Sequence, residues 1–273
     1  MDDDHFQSLL AFLGFSWPGY RKVRKGAKKR VGRHMQELGC RQVSAYMACL
    51  AADPVVRSEC EKRLAVPISR FFRDRWLWET LAAQLPRWVA ARPPGSPFRV
   101  WSAGCARGEE TYSFKILWCL LTSREPGIKA ALELSGSDLH PGHLAAARRG
   151  IYAAGSIREM TPAQRAAGLT ALRGGRHWAV RPAIKQGVVW RVHDLRTAPQ
   201  GGPYHLIFLR NSLLTYFAEP LKSEALAKVI GVLAPCGILV IGNHEQLPPG
   251  QEGLHPLSGY RHAFQAPAEL AIS

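Results

Sequence analysis

The chain has 273 residues, 47% of them hydrophobic, which is enough for a sizeable core and too apolar for a disordered chain. Lys and Arg number 36 against 21 Asp and Glu, a formal net charge of +15 that favours an anionic partner: nucleic acid, an acidic protein surface or a membrane face. No apolar run approaches the roughly 20 residues of a membrane span, and the acidic residues 1–5 lack a secretory signal pattern, so a cytoplasmic location is expected.

Residues 1–66 read as a small helical domain. Phe6, Leu9, Leu10 and Leu13 recur at helical spacing. Tyr20, Val23, Ala27, Val31, Met35 and Leu38 then define the apolar face of one long helix that Gly39 would cap. The rest of that helix is crowded with Arg21, Lys22, Arg24, Lys25, Lys28, Lys29, Arg30 and Arg33. A third helix covers 43–51, and a fourth follows Asp53-Pro54, with Asp as N-cap and Pro in the first turn.

A linker with a connecting helix is expected over 67–97, closed by the chain-breaking Arg92-Pro-Pro-Gly-Ser-Pro97. From 98 to 273 strands and helices alternate. Strands fall at 98–102, 132–137, 188–192, 204–209 and 237–242, with helices at 110–121, 141–149 and 220–233. Alternation of this kind implies βαβ units and a mostly parallel sheet, an α/β fold. Residues 174–187 are irregular, with Trp178-Ala-Val and Ala183-Ile as short strands, and read as a small β-subdomain inserted on the sheet.

The six cysteines (Cys40, Cys49, Cys60, Cys105, Cys119 and Cys236) form no CxxC pair and no zinc spacing, and read as reduced thiols. His140, His143, His177, His193, His205, His244, His255 and His262 show no ligand spacing either. They read as surface or satisfied core residues, and no metal is expected.

The stretch Arg99-Val-Trp-Ser-Ala-Gly-Cys-Ala-Arg-Gly-Glu-Glu-Thr-Tyr-Ser113 carries the most chemistry. A hydrophobic strand enters a turn holding Gly104 and Gly108, and a helix leaves it. Glycines there let backbone approach a ligand closely, and ligands of open parallel sheets sit outside the carboxyl ends of the strands. The next strand ends in Ser137-Asp138, an acid able to accept hydrogen bonds from both ribose hydroxyls of an adenosine cofactor. The spacing is not G-x-G-x-x-G. Glu109 and Glu110 would repel a pyrophosphate at the helix N-terminus, whereas a cationic sulfonium tolerates them. The reading is an S-adenosylmethionine site.

Four ordered motifs then resemble one family, the chemotaxis-receptor glutamate methyltransferases known as CheR. Ser69-Arg-Phe-Phe-Arg-Asp74 is similar to its Thr-x-Phe-Phe-Arg-Asp segment, and Trp101 to Ser113 to its cofactor loop. Ser137-Asp-Leu with Ala147-Arg-Arg-Gly-Ile-Tyr152 is like its second-strand region, and Leu209-Arg-Asn-Ser-Leu-Leu-Thr-Tyr-Phe217 is like its Cys-Arg-Asn-x-x-x-Tyr-Phe segment. The resemblance covers residues 4–264 and implies a Rossmann-like class I methyltransferase domain with a small helical N-terminal domain and a small β-subdomain. It implies S-adenosyl-L-methionine as cofactor and glutamate side chains of a chemoreceptor as acceptor.

Residue by residue, the resemblance implies that Glu110 and Asp138 contact the cofactor, with Gly104 in the loop and Asp138 on the ribose. Asp194 and Leu195 flank the adenine, and Arg210 and Asn211 line the methionine end. Ser69 and Arg73 close the site from the linker, and Tyr216 lies near the methyl group, so Arg73 and Tyr216 are the catalytic candidates. The basic helix 21–33 would face an acidic, helical protein partner.

Departures are visible. Pro67 stands where the family usually has Asn, one extra residue precedes Tyr216, Asp194 stands where Asn is frequent, and Gly242-Asn-His-Glu-Gln-Leu-Pro248 replaces Gly-His-Ser-Glu. These mark a divergent branch and bear more on the acceptor than on the cofactor. Methylation of RNA or another acceptor, and a non-catalytic cofactor-sensing module, stay open as alternatives. Nucleic acid fits less well, because Tyr20 is the lone aromatic at the basic stretch.

Overall fold

The computed structural model describes residues 1–67, 69–125, 127–251, 253–257 and 259–268. Five helices come first: α1 (Asp3–Leu13), α2 (Trp17–Tyr20), α3 (Arg24–Glu37), α4 (Val43–Ala52) and α5 (Pro54–Leu64). The expected long basic helix is thus two helices, interrupted by turns at 21–23. Its end is as the glycine signals. Gly39 sits at φ 70°, its N–H bonds to the Gln36 carbonyl (3.0 Å), and the Cys40 N–H reaches back to Met35 (2.8 Å). Asp53 caps α5 by accepting from the Val55 N–H at 2.7 Å. The apolar faces of these helices close one core around Phe6, Leu9, Leu10, Tyr20, Val31, Tyr46 and Leu64.

Helix α6 (Arg75–Ala90) leads to β1 (Phe98–Ala103). Next come α7 (Glu109–Arg124), β2 (Leu132–Asp138) and α8 (Pro141–Arg149). The segments β3 (Ile151–Ala153), α9 (Pro162–Gly168), β4 (Leu169–Leu172), β5 (His177–Val180) and α10 (Pro182–Lys185) follow. The chain ends with β6 (Val188–Val192), β7 (Tyr204–Leu209), α11 (Leu213–Tyr216), α12 (Leu221–Ile230), β8 (Leu233–Ile241), β9 (His255–Leu257) and β10 (Tyr260–Gln265).

The main sheet has seven strands in the order β6-β2-β1-β7-β8-β10-β9. The first five are parallel, and β10 and β9 run antiparallel at one edge. Strand β1 is central and buried except for Arg99, as a parallel strand covered on both faces must be. Helix α7 seals it with Tyr112, Phe114 and Ile116, all fully buried. Truncating Phe114 to Ala would cost about 3–5 kcal/mol. The strand order reverses between β1 and β7, so the loops after these two strands diverge and open a crevice between them.

Three readings are corrected. The small sheet is three-stranded, β3-β5-β4, and spans 151–180 rather than 174–187, because β3 and β4 are too short to show a sequence period. Ala183 and Ile184 belong to α10, which Pro182 opens, and not to a strand. Strand β8 begins at Leu233, four residues before the expected 237, with a register shift and Cys236 at φ 56° absorbing the Pro235-Cys-Gly237 break.

The helical region docks on the loop after β7. The Ser16 N–H donates to the Tyr216 carbonyl at 2.8 Å and the Ala218 N–H to the Gly14 carbonyl at 2.9 Å. At Gly19 a Cβ would lie 2.0 Å from the Thr215 carbonyl oxygen, so only glycine permits this approach.

Candidate functional site

The loop after β1 is tied down by backbone. The Gly104 and Cys105 N–H groups both donate to the Ser137 carbonyl, at 2.9 and 2.8 Å. Gly104 has φ 75°, and a Cβ there would lie 2.8 Å from Ser212 Cβ, so this residue brings the loop against the one that follows β7. Gly108 serves packing as well: a Cβ would lie 2.7 Å from the Trp190 ring and 2.9 Å from Ala147.

Asp138 is aimed from three sides. Its Oδ2 accepts from the Ala106 N–H at 2.9 Å, and its Oδ1 accepts from the His140 N–H at 2.9 Å and contacts His143 Nδ1 at 3.0 Å. His143 and His193 line the same cavity as Asp138. His193 is a core residue, as read, 6% exposed and edge-on to Trp101, whereas His143 contacts Asp138 and so is a site-facing residue, which corrects its reading.

Buried Arg210 and part-buried Glu110 form an ion pair. Ser102 Oγ donates to Glu110 Oε1 at 2.8 Å and Arg210 Nη1 to Oε2 at 2.8 Å. Arg210 Nη2 also donates to Asp74, at the N-terminus of α6. Burial opposes the guanidinium charge, but the Glu110 and Asp74 carboxylates outweigh it and leave the Arg210 pKa raised. Glu109 turns inward and is 2% exposed, and burial raises its carboxyl above the ordinary range. Neither acid therefore presents an unbalanced charge to a ligand, and the expected repulsion of a pyrophosphate does not come from them.

The acids that do face the cavity are Asp138, Asp194 and Glu61. Asp194 accepts from the Arg196 N–H at 2.9 Å and from Arg196 Nε on both oxygens, at 3.0 and 2.9 Å. Burial would raise its pKa, yet these bonds hold it low. The same guanidinium reaches across to Glu61 on α5, through Nη1 at 2.9 Å and through Nη2. Arg196 so joins the helical region to the loop after β6. Asp194 spends its oxygens on Arg196, which leaves the neighbouring Leu195 side chain and the backbone to meet a ligand.

Three cavities adjoin. The first, about 750 Å³, lies between the sheet and the helical region and is lined by Gly104, Asp138, Asp194, Leu195, Asn211 and Tyr216, with Tyr20 and Val66 from the helical side. A smaller one holds Ser69, Arg73, Gly104, Glu110, Arg210 and Asn211. The third, an open cleft of about 1430 Å³, is lined by Lys22, Arg73, Asn211, Tyr216, Lys222 and Glu245. All ten site residues read from the sequence line one of the three, and Asn211 lines each. Tyr216 packs on Tyr20 with ring centroids 5.0 Å apart, and burial raises its phenol pKa.

Sequence reasoning missed Glu245. It is 6% exposed and accepts from the N–H groups of Asn211 (3.0 Å) and Gly242 (2.7 Å) and from the Thr215 hydroxyl. It holds Asn211, whose φ is 53°, in its tight turn. The signal was the glutamate kept within the divergent 242–248 segment. Asp74, Glu61 and Arg196 were missed because their partners lie far off in sequence.

An α/β sheet with a cavity at its switch point, and an acid at the end of the second strand, defines an adenosine-cofactor protein. The description "CheR methyltransferase, SAM binding domain" matches residues 68–263. The chain belongs to that family, and it is an S-adenosylmethionine-dependent methyltransferase. A chemotaxis protein methyltransferase of Listeria monocytogenes is 31% identical over 213 residues, 77% of this chain and 78% of that one. An uncharacterized 104.1 kDa protein of Rhodobacter capsulatus is 30% identical over 243 residues, 88% of this chain, but the chain spans only 25% of that relative's length. A solved SAM-bound amino pentose methyltransferase of Micromonospora echinaspora aligns over 63% of this chain and 52% of its own at 22% identity, with a TM-score of 0.35, too weak to bear on the site.

The residues present fit the cofactor. Asp138 Oδ2 accepts one hydrogen bond from the protein and keeps an acceptor position for a ribose hydroxyl. The cavity wall is apolar at Leu195, Leu213 and Val66, as an adenine ring requires. Among the described residues no group of three or more His, Cys, Asp or Glu could hold a metal ion, and no helix is long and apolar enough to cross a membrane.

Proposed function

We propose that the protein transfers the methyl group of S-adenosylmethionine to glutamate side-chain carboxylates of an acidic helical protein, such as the cytoplasmic part of a chemoreceptor. One observation carries the reading. Arg73 lines both the cavity on the cofactor side and the open cleft, where Lys22 and Lys222 join it. A guanidinium at that junction suits a carboxylate acceptor, since its fork matches two carboxylate oxygens.

The bound cofactor supplies a methyl group on a cationic, already activated sulfur. A glutamate carboxylate is ionised at neutral pH, so no general base is required. Tyr216, kept protonated by its burial, can donate a hydrogen bond but cannot serve as a base. What remains is orientation and exclusion of water, which can supply on the order of 7–11 kcal/mol in ideal cases. In this reading Asp138 holds the ribose, and Leu195 with the Asp194 backbone flanks the adenine. Ser69, Glu110, Arg210 and Asn211 with Gly104 form the methionine end, and Arg73 and Tyr216 orient the acceptor. Residues 1–66 form the docking domain, 67–97 the connection and 98–273 the catalytic domain.

Basic residues of α3 would guide the partner. Arg24 and Lys28 are engaged by Asp3, and Arg30 grips the carbonyls of Arg63 and Ala65. Arg21, Lys22, Lys25, Lys29 and Arg33 are exposed. The similarity to a chemotaxis protein methyltransferase supports this acceptor class.

The test is transfer from methyl-labelled S-adenosylmethionine to an acidic helical protein, followed by mild alkali. The expected product is a methyl ester that releases its label as methanol. A label that survives alkali, or that goes to RNA instead, would contradict the proposal.

A further inference from the structure

The pair His143 and Asp138 carries more than the cofactor motif requires. Both side chains are nearly buried, at 12% and 13% exposure, and both line the cavity of about 750 Å³. His143 sits on α8, one turn beyond the strand end that bears Asp138, so the helix fixes its approach. His140 stacks on it with ring centroids 4.4 Å apart and a 20° interplanar angle, which removes rotational freedom.

Counting donors shows what the histidine does. Asp138 receives one backbone N–H on each oxygen, from Ala106 and His140. Those two backbone bonds hold the carboxylate at both oxygens. The third contact, 3.0 Å from His143 Nδ1 to Oδ1, comes from a side chain inside the cavity. Because a carboxylate offers only acceptors, Nδ1 must carry the proton. With it in place Oδ1 is saturated and Oδ2 keeps one acceptor position, so the carboxylate presents a single directed oxygen.

Resting on the cofactor assignment, we propose that His143 is a positioning residue for cofactor binding: it donates to Asp138 and directs Oδ2 at a ribose hydroxyl. The motif that marks the strand end contains Asp138 but not this histidine. His143 is thus a specificity element of this chain, and it acts through Asp138 rather than by touching the reacting atoms.

The test is titration of the full chain with S-adenosylhomocysteine, using wild type, His143→Asn and His143→Leu, and then with the 2′,3′-dideoxy analogue. Asn can donate from Nδ2 near the place of the ring Nδ1, and Leu fills the volume without a donor. Loss of a hydrogen bond to a charged group predicts about tenfold weaker binding for His143→Leu and at most about twofold for His143→Asn. Against the dideoxy analogue, wild type and His143→Leu should bind within about twofold of each other, as coupling through the ribose requires. Three results would overturn the proposal: unchanged affinity in His143→Leu, equal losses in both variants, or a penalty that persists with the analogue. A wild type that binds no S-adenosylhomocysteine at all would instead sink the cofactor assignment, and the proposal with it.

Discussion

The two large cavities that meet at Tyr216 and Asn211 are built with opposite electrical signs. The cofactor cavity shows Asp138, with Asp194 and Glu61 both held by the guanidinium of Arg196 and Glu61 also by Arg57 at 3.3 Å, so acids still outnumber bases. The open cleft shows Lys22, Arg73 and Lys222, the last 3.8 Å from Glu219, and Glu245, the one acid among the described residues that line it, accepts hydrogen bonds from Asn211, Gly242 and Thr215. Unit charges about 4 Å apart interact by about 4 kcal/mol at an effective dielectric near 20. A ligand of the wrong sign in either cavity is therefore disfavoured strongly. The contrast suits a reaction between a cationic donor and an anionic acceptor. It teaches that the charge pattern does much of the sorting before any close contact forms.

The largest break in the comparison should come from Asp138→Ala. The one charge-assisted hydrogen bond to the ribose would go, together with the carboxylate that holds the Ala106 N–H, weakening S-adenosylhomocysteine binding by about 100-fold, read by calorimetry. Arg73→Ala should sharpen the division. Methyl transfer, as kcat/KM, should fall by about 100-fold while S-adenosylhomocysteine affinity changes by less than about threefold. An equal loss in both would place Arg73 with the cofactor alone.

Combined Lys25→Glu, Lys29→Glu and Arg33→Glu should slow capture of the acidic partner by about tenfold at low salt, measured by stopped flow. The difference should vanish near 0.5 M salt, where the Debye length is about 4 Å. Cofactor affinity should not move.

His205 supplies a control remote from both cavities, at the far end of β7. Burial, with Arg92 and Arg99 adding to it, lowers its pKa to about 4. The folded value lies below the roughly 6.5 of an unfolded histidine, so its contribution is intact above pH ~6.5 and is lost as pH falls through 4. Urea melts at neutral and acid pH should show wild type losing about 2 kcal/mol more than His205→Gln, after discounting for its partly exposed ring. Binding at neutral pH should be unchanged.

Much of this was legible in the sequence. Strands β6 and β7 and helix α8 fall on their expected residues, because short apolar runs between breakers leave little freedom. The ten residues read as a site from local motifs gather at three adjoining cavities. What escaped was whatever depends on distant partners. Arg196 reads as a surface residue until Glu61, on a helix 135 positions earlier, is brought against it. His143 looks idle until α8 turns it toward Asp138. The charges on the basic helix were counted correctly, but Asp3 and the carbonyls of Arg63 and Ala65 occupy three of the eight, which no helical projection reveals. The glutamates after Gly108 misled in detail, since Arg210 neutralises one and the core hides the other.

The most direct test of opposite-signed cavities is titration of wild type with S-adenosylmethionine and with neutral S-adenosylhomocysteine, from about 50 mM to about 500 mM salt. The account predicts one-to-one binding of both in the same cavity, with the cationic ligand alone losing affinity modestly as salt rises. Absence of binding, or an affinity for S-adenosylmethionine that grows with salt, would contradict it.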